Sequence, residues 1–458
     1  MEFEKLKQKF KGSLVFDPDI LNSLSLDFGK MVRKVPEMIA VPSNSTDVEL
    51  LLEWANWEGK TVTIRGSGHS QSGQSLSEGG ILLDLVNLNR ILKKEKQSVW
   101  VEAGRTWGSL IWELASRSLI PPVLTNNLEA TVGGTLSIGG LGSASHRYGL
   151  QADNIEAFEV ITGSGELVQC SRDQNADFFD VVRCGLGQFG VITKVKLRLR
   201  KALSKVRTYF LLYDDLSSVM EDLEKIISDN RFDFIEGWCT PCMQGLRKLG
   251  DAKVPFAEWL FPIHVSVEYE GSPPPDSRLS GLKYYRLVHI EDDSVVEYLS
   301  RTEDLFQLWR ETGSWKLNHP GMDIILPWDR AYEYIQGVLK SLPPDLVAGG
   351  QILLWPCRKM PQPSPLFMYP NGNLFAVLGI LPAVSRSSLG MTVSLMDKAS
   401  DLGIQIGGKR YLSGWVRFNH QEWRRHFGAK WEEIVQVKMM CDPNGVLNPG
   451  FIQFRNES

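Results

Sequence analysis

A chain of 458 residues, 43% apolar and 23% charged, has the make-up of a globular protein with room for two or three domains. Its 50 Lys and Arg against 54 Asp and Glu leave a formal charge of −4, which speaks against nucleic acid or an anionic membrane as the main partner, since both select for clustered positive charge. No apolar run is long enough to span a membrane, the charged start MEFEKLKQKF lacks the core of a signal peptide, and six cysteines are sparse enough for a reducing, cytoplasmic setting.

Residues 30–55 predict a strand and a helix: MIAVPSNSTDVELLLEWANWEG passes from an apolar stretch through a Ser/Thr/Asp cluster suited to an N-cap into leucines at helical spacing. The β-branched TVTI then opens into a Gly/Ser loop, RGSGHSQSGQS. GILLDLVNLNRI and VWVEAGRTWGSLIWELASR read as strand, turn, strand and amphipathic helix. After the Gly-rich TVGGTLSIGGLGSASHRYG, IEAFEVITGSGELVQC reads as a hairpin around Gly-Ser-Gly, and GLGQFGVITKVKLRLRKA as a long alternating strand. From about 206 to 405 strands (RTYFLLY, IHVSVEYE, LKYYRLVHI, LFAVLGIL) alternate with helices (SSVMEDLEKIISD, AYEYIQGVLKSL) and Pro-rich loops. The remainder is mostly helical, with a turn-rich tail. The expected fold class is α+β: a Gly-rich domain over 1–205, a substrate domain with an antiparallel sheet over 206–405, and a segment over 406–458 that returns to the first domain.

The sharpest local signal is the run Arg65-Gly66-Ser67-Gly68-His69-Ser70-Gln71-Ser72-Gly73-Gln74. It lacks the Lys-Ser/Thr ending of a P-loop and the spacing and following helix of a Rossmann fingerprint. Its small residues expose backbone N–H groups of the kind that form an anion nest for a diphosphate. This run resembles the flavin-attachment loop of the vanillyl-alcohol oxidase / p-cresol methylhydroxylase superfamily, in many members of which the histidine is bonded to the 8α carbon of FAD. Two further motifs resemble it in the same order: Thr131-Val132-Gly133-Gly134-Thr135-Leu136-Ser137 with Gly139-Gly140 and Arg147-Tyr148-Gly149, then Gly185-Leu186-Gly187-Gln188-Phe189-Gly190-Val191-Ile192-Thr193. Among its subfamilies the chain is most similar to the cytokinin dehydrogenases. VITGSGELVQCSRDQNADFFDVVRCGLGQFGVIT, Arg410-Tyr411-Leu412 and EWRRHFG at 422–428 look like their corresponding stretches. The resemblance is strong over 30–205, good over 405–454 and weak between.

The resemblance implies a two-part, PCMH-type FAD-binding domain and a flavin bonded covalently to His69. A cysteine that some relatives use for a second bond would fall nearest Glu129, so one bond is expected. It implies FAD contacts from Ile64, Gly66, Ser67, Gly68, Ser70 and Gln74, from Asn126, Thr131, Gly134, Ser137, Leu141 and Ile192, and from Tyr411 and Asn448, with no metal. The implied reaction oxidises a C–N or C–OH bond of a small molecule by hydride transfer to the flavin N5, with O₂ or a quinone as acceptor. A redox-neutral cyclase or an inert flavoprotein of the same fold is the alternative.

The chain departs from the pattern at Asn126, which stands where cytokinin dehydrogenases carry an Asp that accepts a proton or hydrogen bond from the substrate amine. An amide accepts a hydrogen bond but is no general base. Asn448 and Phe451 stand where the plant enzymes have Ser and Gln. Period-2 alternation in IHVSVEYE puts His264, Ser266 and Glu268 on one face, and His264 or Glu268 is a candidate replacement acid or base. A solvated strand face gives the same pattern.

Overall fold

The computed structural model describes residues 2–347 and 350–454. Among the described residues the chain builds four sheets of four or five strands and a two-stranded one, and the Gly/Ser loop is positioned by the first. There the strands Ser13–Val15, Met38–Val41, Ile81–Asp84 and Val62–Arg65 lie side by side in that order, the last three parallel. Parallel neighbours need a crossover, and the helix Ser45–Glu58 lies between Met38–Val41 and Val62–Arg65. Asn44 caps it, its Oδ1 accepting the Asp47 N–H at 3.0 Å. The buried Asp47 carboxylate accepts the backbone N–H groups of Lys11, Gly12 and Ser43 at 2.9, 2.9 and 2.8 Å. The helix stops at Gly59, whose φ of +65° suits glycine. The Gly/Ser loop leaves the carboxyl end of Val62–Arg65, the end at which parallel sheets receive ligands.

The second sheet is antiparallel, in the order Ile91–Lys94, Ser98–Glu102, Val191–Arg198, Ile155–Ile161, Leu167–Ser171. The expected hairpin closes on the pair Ile161 and Leu167, and the long alternating strand lies at the centre. The helix Trp107–Ala115, capped by Thr106, buries Trp107, Leu110 and Leu114 against Val132, Leu136, Phe158 and Phe179.

The middle of the chain forms two antiparallel sheets. One runs Phe234–Gly237, Ala252–Tyr269, Lys205–Tyr213, Arg286–Ser294, and the other Gln351–Arg358, Leu374–Leu381, Met322–Pro327 with Lys409–Arg410 at its edge. Residues of both sheets share one core with the helices Leu216–Ser228, Trp328–Ser341 and Leu389–Gln405. The structure differs from the sequence expectation in several places, the unforeseen strand Thr240–Leu249 and helix Leu389–Gln405 among them. The strand expected from Leu282 begins at Arg286, because its ladder with Lys205–Tyr213 ends at the pair Leu212 and Arg286. Met322–Pro327 and Gln351–Arg358 carry no alternation that reads as a strand, because both faces are largely covered.

The C-terminal segment ties both halves together. Trp423, Phe427, Trp431 and Ile434, from the helices His420–Phe427 and Trp431–Cys441, enter the core that holds Trp107 and Phe158. Val446 and Leu447 join the core of the first sheet, where Leu447 bridges Val62 in parallel. Among the described residues no helix is long and apolar enough to cross a membrane.

Candidate functional site

A cavity of ≈ 380 Å³ opens between the Gly/Ser loop, the Thr125–Ser143 stretch and the sheet of Met322–Pro327. The loop is held from behind. Asp27 accepts the Ser70 hydroxyl at 2.9 Å and the Gly73 N–H at 2.8 Å, and burial pushes its carboxyl up despite these bonds. Arg65 fills the space beside Gly68, where φ is +73° and a Cβ would lie 2.3 Å from the guanidinium. The carbonyls of Gly68 and Ser70 accept the N–H groups of Phe28 and Gly29 at 2.9 and 3.1 Å. The backbone N–H groups of Gly66 to Ser70 find no protein acceptor among the described residues, leaving a row of donors on a cavity wall, which fits a diphosphate.

The loop is also stitched to distant chain. Gln71 Oε1 accepts the Gly321 N–H at 2.9 Å, and Ser72 Oγ donates to Gly414 O at 3.1 Å and accepts the Val416 N–H at 2.7 Å. Gln74 Nε2 reaches Leu412 O at 3.4 Å. On the opposite wall Thr131 caps the short helix Val132–Leu136, accepting the Gly134 N–H at 3.3 Å. A Cβ on Gly66 would lie 2.2 Å from Thr131 Oγ1, so this glycine lets the two motifs touch. A Cβ on Gly134 would meet only Thr131 Oγ1 at 2.9 Å and otherwise enters the cavity. Ser137, Leu141, Ile192, Tyr411 and Asn448 complete the wall, with Ile64 and Ser67. Asn448, at φ +45°, accepts the Ile64 N–H at 2.9 Å and donates to Gly187 O at 2.7 Å. Each residue assigned above to the cofactor therefore lines this one cavity, although the residues come from separate segments.

His69 sits in the wall beside Phe28 and Trp315, with ring centroids 5.8 and 6.1 Å away. Asn127 Oδ1 accepts the Glu129 N–H at 3.0 Å, which turns the amide nitrogen towards His69 Nδ1 at 3.1 Å. Nδ1 is then the acceptor, and Nε2 carries the proton, 3.8 Å from Glu129 Oε2. Glu129 is paired in turn with Arg310 at 2.5 Å. Burial pulls the imidazole down to about 4, against the charge of Glu129, so the ring is neutral at pH 7.

Asn126 faces the same cavity. Its carbonyl accepts the Thr302 hydroxyl at 2.6 Å, and its side-chain amide makes no hydrogen bond among the described residues. The two strand residues proposed as replacement acids are placed elsewhere. The predicted alternation holds, with Val265, Val267 and Tyr269 turned into or towards the core. Glu268, however, is bound by Arg200 at 2.5 Å and by the Leu203 N–H at 3.1 Å, away from the cavity. His264 packs between Phe210 and Trp238, with centroids 4.3 and 4.6 Å away, is pulled down to about 4 by burial, and does not line the cavity either.

The carboxylates that do line it escaped the sequence reading. Glu236 stands opposite His264 in the ladder, is 6% exposed and is gripped by Arg301 at 2.6 Å. Asp323 lies on Met322–Pro327, bonded by Ser413 Oγ at 2.9 Å. In the sequence each is a lone acid in an apolar run, Phe-Ile-Glu-Gly and Met-Asp-Ile-Ile-Leu, a signal that alternation does not score. Trp355 Nε1 and His319 Nε2 are buried in cavity-lining residues with no hydrogen-bond partner, as expected where a bound molecule supplies one. Unpartnered donors, a glycine opening into the cavity and buried orphan nitrogens all fit a large, polar-edged cofactor such as FAD.

Comparison with known proteins agrees. Residues 36–171 match the family described as FAD binding domain, and residues 275–454 the family described as cytokinin dehydrogenase 1, FAD and cytokinin binding. An uncharacterised oxidoreductase of the fasciation locus of Rhodococcoides fascians is 32% identical over 94% of this chain and 96% of its own. Cytokinin dehydrogenase 6 of Oryza sativa subsp. japonica is 30% identical over 95% and 90%, and cytokinin dehydrogenase 2 of Arabidopsis thaliana 29% over 96% and 93%.

Proposed function

The chain belongs to the cytokinin dehydrogenase family of FAD-dependent oxidoreductases, and from that premise we propose that it oxidises an amine C–N bond of a small molecule, with FAD bonded to His69 and O₂ or a quinone as final acceptor. The observation that carries this reading is the convergence on one cavity of the unpartnered N–H row of Gly66 to Ser70, a neutral His69 and the open side of Gly134. The N–H row would hold the diphosphate. Burial keeps the His69 imidazole neutral, and a neutral imidazole keeps the nitrogen lone pair a covalent bond needs, here on Nδ1, where it accepts from Asn127. When bound, the isoalloxazine supplies a two-electron acceptor. Leu353, Trp355 and Leu381 give the cavity apolar walls, which would exclude water from the reacting carbon. Asn126 would orient the substrate nitrogen through its amide oxygen without taking its proton. An amine is favoured over an alcohol because relatives covering nearly the whole chain are named for cytokinins, which are N6-substituted adenines.

Anaerobic mixing with a panel of amines and alcohols tests this. A substrate amine should bleach the yellow flavin stoichiometrically. Turnover without bleaching would identify a redox-neutral enzyme instead, and no reaction across the panel an inert flavoprotein. Acid-precipitated protein should stay yellow, and a colourless pellet would show that His69 makes no covalent bond.

A further inference from the structure

We propose that Asp323 is a substrate-binding group, the carboxylate that accepts a hydrogen bond from an N–H edge of an N6-substituted adenine; this rests on the amine reading above. Asp323 is the polar exception in the buried strand run Met322-Asp323-Ile324-Ile325-Leu326 and is 6% exposed. Two glycines make room for it. Gly379 stands directly opposite in the ladder, and a Cβ there would lie 2.6 Å from Oδ1; one on Gly414 would lie 3.1 Å from Oδ2.

Its hydrogen bonding is incomplete. Oδ2 accepts the Ser413 hydroxyl at 2.9 Å, and among the described residues Oδ1 has no donor. The nearby Arg410 is committed elsewhere: Nε to the Asp323 carbonyl at 3.1 Å, one terminal nitrogen to Ser400 Oγ at 3.0 Å, the other to the Trp415 carbonyl at 2.7 Å. The other carboxylates on the cavity wall and beside His69 are each paired, Glu236 with Arg301 and Glu129 with Arg310. A desolvated carboxylate with one hydrogen bond and no ion pair is costly. Burial accordingly pushes its carboxyl up to about 6, against the Ser413 bond and the charge of Arg410. Nor does the neighbouring turn need the carboxylate: the Tyr411 N–H is bound by the Asp323 carbonyl at 3.1 Å and the Trp415 N–H by the Gly321 carbonyl at 2.6 Å. An N–H donor from a ligand in the cavity would complete the site. Arg410 and Ser413 face the carboxylate, and Tyr411, His319 and Glu236 line the same cavity.

The test uses holoenzyme and N6-phenyladenine, which has the N–H groups of the proposed substrate but no hydrogen on the carbon attached to N6, so it binds without being oxidised. Calorimetry should give an affinity that rises with pH through about 6, as the carboxylate ionises. Asp323→Asn should weaken binding about tenfold above that pH and flatten the profile, at unchanged flavin content. Ser413→Ala removes one donor from the anion and should move the midpoint upward. Should Asp323→Asn fail to fold, that shift decides the matter. Equal affinity and an equal pH profile in wild type and Asp323→Asn, an unmoved midpoint in Ser413→Ala, or no wild-type binding at about 1 mM would overturn the proposal. Binding as expected together with no bleaching by any amine would sink the oxidation reading and leave this one standing.

Discussion

Asn126 decides how the site handles a proton. Its amide faces the cavity without a hydrogen-bond partner among the described residues, and it takes no proton at any ordinary pH. N6-isopentenyladenine should therefore be turned over slowly, and Asn126→Asp should raise its kcat, by at most the ~10²–10⁴-fold that general-base assistance contributes. Steady-state kinetics with a dye acceptor reads this directly. An unchanged rate in the variant would mean that another feature of the pocket limits the reaction. Gly134 offers a second single-residue test. Because its missing Cβ points into the cavity, Gly134→Val should fold but lose most of its flavin, seen as a drop in the absorbance ratio of flavin to protein. Full occupancy would show that the cofactor does not approach this turn. Both residues were legible in the sequence because motif spacing fixes backbone positions. Glu236 and Asp323 were not, because each lies in a short buried strand where the informative feature is a single acid among apolar neighbours. Glu268 misled for the converse reason: alternation gives the face of a strand but not what covers that face, and here Arg200 does.

Between elements, the clip made by Asn448 carries the most consequence. One side chain joins three segments: the strand Val62–Arg65 through the Ile64 N–H, the Gly185–Val191 turn through the Gly187 carbonyl, and the C-terminal tail that bears it. Its backbone carbonyl also accepts from Gln188 Nε2 at 3.1 Å. Asn448→Ala leaves a buried donor and a buried acceptor unpaired and places alanine at positive φ, for a loss of roughly 2–4 kcal/mol. Asn448→Asp keeps the acceptor for Ile64 and should lose less. Thermal unfolding should rank wild type above Asp above Ala, with flavin retention falling in the same order; an alanine variant as stable as wild type would show that the clip is dispensable. Elements with strong periodicity, such as the hairpin Ile155–Ser171 and the helix Ser45–Glu58, were readable in advance. The strands Met322–Pro327 and Gln351–Arg358 were not, since strands covered on both faces lose the alternation that announces them.

Across the whole molecule, burial of histidine sets the response to acid. His69, His146, His264 and His319 are pulled down to about 4 and His426 to about 3, in each case chiefly by desolvation. Above about pH 7.5 these rings are neutral whether the chain is folded or not, and they contribute almost no pH dependence. Below it the unfolded chain binds protons that the fold refuses until about pH 4, so stability falls as pH falls through that window. Each ring contributes a slope approaching about 1.4 kcal/mol per pH unit. Without His69, which the proposed flavin bond would take out of the titration, four such rings remain, for a combined slope of roughly 5 kcal/mol per unit near pH 5. Asp323 opposes them, because its raised carboxyl takes up a proton in the fold before the unfolded chain does, between about 6 and 3.8. Asp27, Asp84 and Asp153, also raised by burial, act in the same sense. Between pH 6.5 and 5 the histidines outweigh them, since the unfolded rings begin to charge before most of these carboxyls protonate. The melting temperature of the holoenzyme should thus be flat above about pH 7.5, begin to fall towards pH 6.5 and drop steeply towards pH 5. A melting temperature at pH 5 equal to that at pH 7 would mean that the buried histidines take up protons in the folded protein as readily as in the unfolded chain.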